Sequence, residues 1–226
     1  MFSYRLRWDL VADNVGGLVS GLVILLQITA LGFALAMILG LVVAVARTAR
    51  SPLLRGPALA YTELMRGIPL FLFLFLVYYG AAQVSPVVLS PFVAAVLALG
   101  LTGSGYATEI YRGALQAVDP GQREAAFAMG LTPGQAFRDV VLPQALRIAV
   151  PPGMNLLVAL LKGSTFVSVI GVADVFYLSR IVSQRFFAPF EMYTVSGLMI
   201  IAVTLCLAGF AVLVEKRFAR GDRTSS

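Results

Sequence analysis

Residues 14–46 and residues 67–108 contain no Asp, Glu, Lys or Arg. Stretches this long and apolar belong out of water. An integral membrane protein crossing the bilayer by helices is therefore predicted. The rest of the chain agrees, with 226 residues, mean hydropathy +0.90, 59% hydrophobic and 12% charged. These features define an all-α integral membrane protein, read as a single transmembrane domain over 1–226 because no polar linker divides it.

A helix needs roughly 20 apolar residues to cross the hydrocarbon. The first span lies within Gly16–Ala46 and is long enough to tilt or to project beyond the bilayer. The second run is too long for one helix, and Pro86 and Pro91 in VSPVVLSPF mark a turn. This places a second span near Leu59–Ala81 and a third near Pro91–Leu115. The fourth crosses only if its helix begins near Val140, with Pro151 and Pro152 tolerated by packing. STFVSVIGVADVFY is too short to span and reads as an interfacial or re-entrant helix. The fifth span lies near Met192–Val214.

Five spans put the termini on opposite sides. Of 17 Lys and Arg residues, 12 fall in the 47–66 and 109–147 segments and the C-terminal tail. The positive-inside rule therefore predicts an external N-terminus and a cytoplasmic C-terminus. It also accounts for the net charge of +6, so no nucleic-acid partner is expected. There is no histidine, and Cys206 is the only cysteine, lying in an apolar run. That argues against disulfides, a metal site and His- or Cys-based catalysis, and no catalytic residue is assigned. MFSYRLRWDLVADN lacks the pattern of a cleaved signal peptide.

The segment REAAFAMGLTPGQ, residues 123–135, is unusual between spans. Asp119-Pro120-Gly121-Gln122 reads as a helix start, with Asp119 as N-cap, Pro120 in the first turn and Gln122 completing a capping box. Gly130 closes that helix, Thr132-Pro133-Gly134-Gln135 starts another, and Pro143 interrupts this second helix. Two short capped helices meeting at a corner specify a shape. Either the first helix inserts into a partner's groove or it is a connector packed on its own membrane domain.

Polar groups at membrane depth are pathway candidates, because each costs free energy unless paired or wetted. They are Gln27, Thr29, Thr102, Ser104, Tyr106, Glu109, Asn155 and Lys162. Glu109, Asn155 and Lys162 each have a structural alternative. Glu109 lies one turn from Arg112 and Glu63 three residues from Arg66, so both carboxylates suit ion pairs. Asn155 suits an interhelical hydrogen bond, and Lys162 can snorkel to the interface.

Glu124-Ala125-Ala126, then three residues, Gly130, nine residues, Val140, one residue and Leu142-Pro143 resembles the EAA loop of ABC importer permeases. That family usually has isoleucine where this chain has Val140. ELMRGIPLFLFLFLVYYG, GYATEIYRGALQAVDPGQREAA, LPQALRIAVPP and SVIGVADVF extend the likeness to the polar-amino-acid uptake subfamily, over roughly residues 15–218. The resemblance implies an inner-membrane permease subunit of an ATP-driven importer. The loop around 119–143, through Glu124, Ala125, Ala126, Gly130, Leu142 and Pro143, would dock on a dimer of ATP-binding subunits. It further implies a second permease, identical or paralogous, and a periplasmic or lipid-anchored substrate-binding protein. No cofactor is expected on this chain. It lacks a GxxxxGK[ST] phosphate loop, so ATP belongs to the partner. An importer of another small polar solute is the neighbouring alternative. A channel or scaffold without ATP coupling would not need the doubly capped insert.

Overall fold

A charge-free run longer than the bilayer is deep continues as helix, and α1 does so from Asp9 to Thr48. Its 40 residues extend about 60 Å at 1.5 Å each, twice the hydrocarbon thickness. The computed structural model describes residues 6–49, 51–84 and 88–219, without the side chains of 215–219. After α1 come α2 (Pro52–Gly67), α3 (Leu70–Val84), α4 (Pro91–Ala117) and α5 (Pro120–Ala128). α6 (Pro133–Ile170), α7 (Val175–Phe186) and α8 (Pro189–Ala219) complete the order. α1, α4, α6 and α8 are each long and apolar enough to span, and α2 with α3 passes the same test as a bent pair. No strand occurs among the described residues. The fold is all-α with five candidate spans, as the sequence predicts.

Three elements differ in detail from the sequence reading. The stretch expected as the second span, Leu59–Ala81, bends by 104° between α2 and α3. Ile68 precedes Pro69 and is extended, at φ −77° and ψ 129°, because the proline ring disfavours helical backbone before it. Pro143 interrupts nothing, for α6 runs unbroken from Pro133 to Ile170. The helix widens to π winding over Ala136–Val141, with the Leu142 N–H donating to the Phe137 carbonyl. That winding displaces the carbonyl a proline ring would strike. Pro151 and Pro152 also sit inside the helix, as expected. Finally, STFVSVIGVADVFY is not one helix. Its first part ends α6 in 3₁₀ winding, Gly171 at φ 89° turns the chain, and Asp174 caps α7. Of the turn expected at Pro86 and Pro91, Pro86 lies outside the described residues, while Pro91 opens α4 after a Ser90 cap.

The core is the seam between α1 and α4. α1 buries Gly32, Ala36, Gly40 and Ala44 at helical spacing, and α4 answers with Ala98, Gly100, Gly103 and Ala107. Small residues let two backbones approach where lipid supplies no hydrophobic drive. A Cβ on Gly40 would lie 2.5 Å from the Ala107 Cβ and 3.0 Å from its backbone carbon. The Thr108 hydroxyl donates to the Gly40 carbonyl at 3.3 Å across the seam. A second cluster, with Leu18, Leu25, Leu161, Val175, Met192 and Ile200, joins α1 to α6, α7 and α8.

At the edge of that cluster α1 meets Asp174, where a Cβ on Gly21 would lie 2.7 Å from the Asp174 backbone. The Asp174 side chain is fully buried. Its Oδ1 accepts from the Tyr177 N–H at 2.8 Å, and its Oδ2 has no partner among the described residues. Burial pushes this carboxyl up to about 6, against the N–H groups of Tyr177 and Phe176 that favour its charged form.

This packing can be tested at two positions. Gly40→Ala should destabilise the protein by about 1–3 kcal/mol through overpacking, whereas Gly16→Ala, which meets open space, should not. Thermal unfolding in detergent distinguishes them. For Asp174 the folded value lies above the unfolded one, so its contribution is fully present below pH 4 and lost as pH rises through about 6. Asp174→Asn keeps the cap acceptor. The stability of wild type relative to this variant should therefore fall between about pH 4 and 6 and level off above, and a pH-independent difference would refute the assignment.

Candidate coupling corner and polar face

The insert forms a corner whose backbone is satisfied at both ends. Asp119 Oδ1 accepts from the Gly121 N–H at 2.7 Å, and Pro120 sits where no intrahelical donor is needed. Gln122 does not complete that box; its Oε1 instead accepts from Gln144 Nε2 at 3.3 Å, tying α5 to α6. At the other end Gly130 takes φ 81°. Its N–H donates to the Phe127 carbonyl at 2.9 Å, and the Leu131 N–H donates to the Ala126 carbonyl at 3.1 Å. These two bonds form a Schellman motif. Thr132 then begins α6 with a complete capping box. Its N–H donates to Gln135 Oε1 at 2.9 Å, and the Gln135 N–H returns to Thr132 Oγ1 at 3.4 Å.

Within α5 only Ala126 is buried. Glu124, Ala125, Phe127 and Met129 are exposed, Met129 at 74%. Leu142 is half-buried and Pro143 exposed on the first turns of α6. The corner is thus held by its ends and by one alanine, with apolar and charged side chains outward.

The polar candidates separate into three groups. Thr102 and Ser104 are buried, and their hydroxyls donate to the Ala98 and Leu101 carbonyls of their own helix, each at 2.7 Å. Tyr61 also reaches Ser104 at 2.7 Å, linking α2 to α4. Thr29 is buried too and donates to the Ser164 hydroxyl at 3.0 Å, joining α1 to α6. Tyr106 is exposed, with its hydroxyl 3.3 Å from the Arg66 carbonyl, and Glu63 pairs with Arg66 at 3.7 Å.

Glu109 forms the ion pair with Arg112, at 2.6 Å and 2.9 Å, that its spacing suggests. Its other oxygen takes Arg47 of α1, a partner 62 residues away that helical spacing does not reveal. In sequence Arg47 shows only as the first charge after a span.

Asn155 and Lys162 remain exposed. They lie seven residues apart on α6, hence on one face about 10 Å apart along the axis. Phe166 continues that face and meets Phe71 of α3 edge-on at 5.9 Å, with Phe75 5.0 Å beyond. Sequence reasoning missed this aromatic extension, whose signal was the spacing of Lys162 and Phe166. Gln27 is exposed on α1.

The family of binding-protein-dependent transport system inner membrane components matches residues 36–220. The chain is 32% identical over 218 residues to the probable amino-acid ABC transporter permease protein YckA of Bacillus subtilis, covering 96% of each. It is 31% identical to the histidine/lysine/arginine/ornithine transport system permease protein HisQ of Salmonella typhimurium, covering 91% of this chain and 95% of that one. A crystal structure of an amino acid ABC transporter with histidines superposes with TM-score 0.89 at 33% identity, over 95% of this chain and all of the other. The MetNI methionine ABC transporter, at TM-score 0.69 and 19% identity, shares the fold over 96% of this chain and 99% of its own. This chain therefore belongs to the inner membrane components of binding-protein-dependent transport systems. It is a multi-pass membrane transport component, similar throughout its length to amino-acid ABC permeases.

The Arg47–Glu109–Arg112 group yields a direct test. The three side chains are 14%, 21% and 35% exposed, so the arrangement is mostly shielded. Glu109→Gln should lower the melting temperature. Combined with Arg47→Gln, it should show a coupling of about 0.5–3 kcal/mol in a double-mutant cycle. Strict additivity would mean the pair contributes nothing.

Proposed function

We propose that the chain is one of two permeases that together form the translocation path of an ATP-driven importer for a polar amino acid. The observation that carries this reading is the α5–α6 corner. A solvent-exposed helix fixed by a Schellman motif and a capping box leads directly into a helix that crosses the membrane. The substrate class rests on the full-length likeness to amino-acid permeases.

In this reading Glu124, Ala125, Ala126 and Gly130, with Leu142 and Pro143 at the base, receive the ATP-binding subunits. Phe127 and Met129 supply apolar anchors for their grooves. ATP is bound and hydrolysed on those subunits, and this chain needs no cofactor. The second permease faces the exposed stripe of Asn155 and Lys162, and the path runs between the two. Thr102, Ser104 and Glu109 hold the walls of that path in place, and Gln27 is a further polar group at membrane depth. A separate binding protein delivers substrate from outside. The N-terminus is external and the C-terminus cytoplasmic, which places α5 with the ATPase.

The test reconstitutes permeases, ATPase and binding protein in liposomes and follows uptake and ATP hydrolysis together. Gly130→Val places a β-branched residue at φ 81°, a strain of roughly 1 kcal/mol or more, and should uncouple hydrolysis from uptake. Gly130→Asn, which tolerates this backbone, should remain coupled. Glu124→Arg should weaken retention of the ATPase, and Asn155→Ala should alter uptake while the complex survives. Normal coupling in both Gly130→Val and Glu124→Arg would make the corner a mere connector. Sidedness is checked in a Cys206→Ser background. Val88→Cys should label from outside, and Gly56→Cys only after permeabilisation.

A further inference from the structure

Where α1 ends and α2 begins, three arginines from three helices line one cavity of about 490 Å³. Arg47 comes from the last turn of α1, Arg55 from the first turn of α2 and Arg112 from α4, with Gln116 and Leu59 beside them. Among the described residues no acidic side chain lines the cavity. Glu109 binds both Arg47 and Arg112 from the side, so one carboxylate is shared by two guanidinium groups and, with Arg55, two of the three positive charges are left uncompensated. Arg55 makes no ion pair among the described residues. Gln116 accepts from Arg112 at 2.7 Å, which holds that guanidinium in place. Guanidinium groups fixed in this way present paired donors to a phosphate.

The surroundings decide what carries the phosphate. α2 turns 104° from α3, so it lies across the direction of its neighbour. Leu53, Leu54 and Leu64 point outward from α2, Leu53 at 85% exposure, while Ala58, Thr62 and Met65 face the protein. A helix with leucines and arginines exposed side by side suits the boundary between headgroups and acyl chains. Basic pockets between spanning helices suit anionic headgroups.

We propose that this cavity binds the phosphate of an anionic phospholipid, with the exposed leucines of α2 against its acyl chains. Its assignment to the cytoplasmic leaflet rests on the topology proposed above; the binding itself does not. The lipid would brace the α1–α2–α4 junction, which otherwise holds like charges close together.

The experiment uses the complete transporter in detergent and native mass spectrometry, titrating phosphatidylglycerol against phosphatidylcholine. Wild type should bind phosphatidylglycerol preferentially. Arg55→Ala leaves the Glu109 pairs intact and should weaken that binding about fivefold, the worth of one arginine near an anionic headgroup. Arg55→Lys should retain most of it. Equal binding of the two lipids, or Arg55→Ala binding like wild type, overturns the proposal. Inorganic phosphate added alone should not displace the lipid at millimolar concentration, and displacement would mark a site for free phosphate instead. Loss of the ATPase from Arg55→Ala with lipid binding unchanged would assign the arginines to that partner. Binding in detergent is blind to sidedness, so a topology error would appear only in the Gly56→Cys labelling.

Discussion

The rest of the molecule depends on how closely α1 approaches α4. Between helices in lipid, van der Waals packing and hydrogen bonds must do what water does for a soluble core. Gly32, Ala36 and Gly40 on one side and Gly100, Gly103 and Ala107 on the other leave no room for larger groups. A Cβ on Gly103 would already lie 2.9 Å from that of Ala36. This contact fixes the rotation of both helices. It thereby sets Arg47 opposite Glu109 at one end and Thr108 against the Gly40 carbonyl below it.

The same seam sorts the polar residues. Thr29, Thr102 and Ser104 fall on packed faces, where each hydroxyl donates to a carbonyl of its own helix or reaches across to a neighbour. Such groups are satisfied and stabilise the bundle. Asn155 and Lys162 fall on the outward face of α6, beside Phe166 and Phe71. The distinction lies in which face of its helix each residue occupies, packed for the three hydroxyls and outward for Asn155 and Lys162.

That is also where sequence reading reaches its limit. The spans were legible because charge is excluded from lipid, and the Thr132–Gln135 box was legible because both partners are local. Glu109 with Arg112 was visible for the same reason. Arg47 as their third member was not, since nothing local relates residues 47 and 109. The bend before Pro69 was locally encoded, but a long apolar run concealed it. Pro143 misled in the opposite sense, because its cost was relieved by π winding that depends on the turns before it. Asp174 as a buried cap needed the fold, since its burial comes from α1 packing against the start of α7.

The corner acquires its meaning from the helix it starts. α6 is 38 residues long, about 57 Å, and continuous from Pro133 to Ile170. It carries the exposed Asn155 and Lys162 and ends against α1 through Ser164 and Thr29. A floppy loop would absorb displacement before it reached such a helix. Here the backbone groups at both ends of the corner are bonded, so α5 and the start of α6 move together or not at all. On the proposed function, a shift of α5 by the ATPase reaches the polar face through helix rather than loop. The Thr29–Ser164 contact at the far end then acts as the pivot. The π segment, Ala136–Val141, directly follows the corner, so any such displacement passes through it before reaching the apolar part of α6.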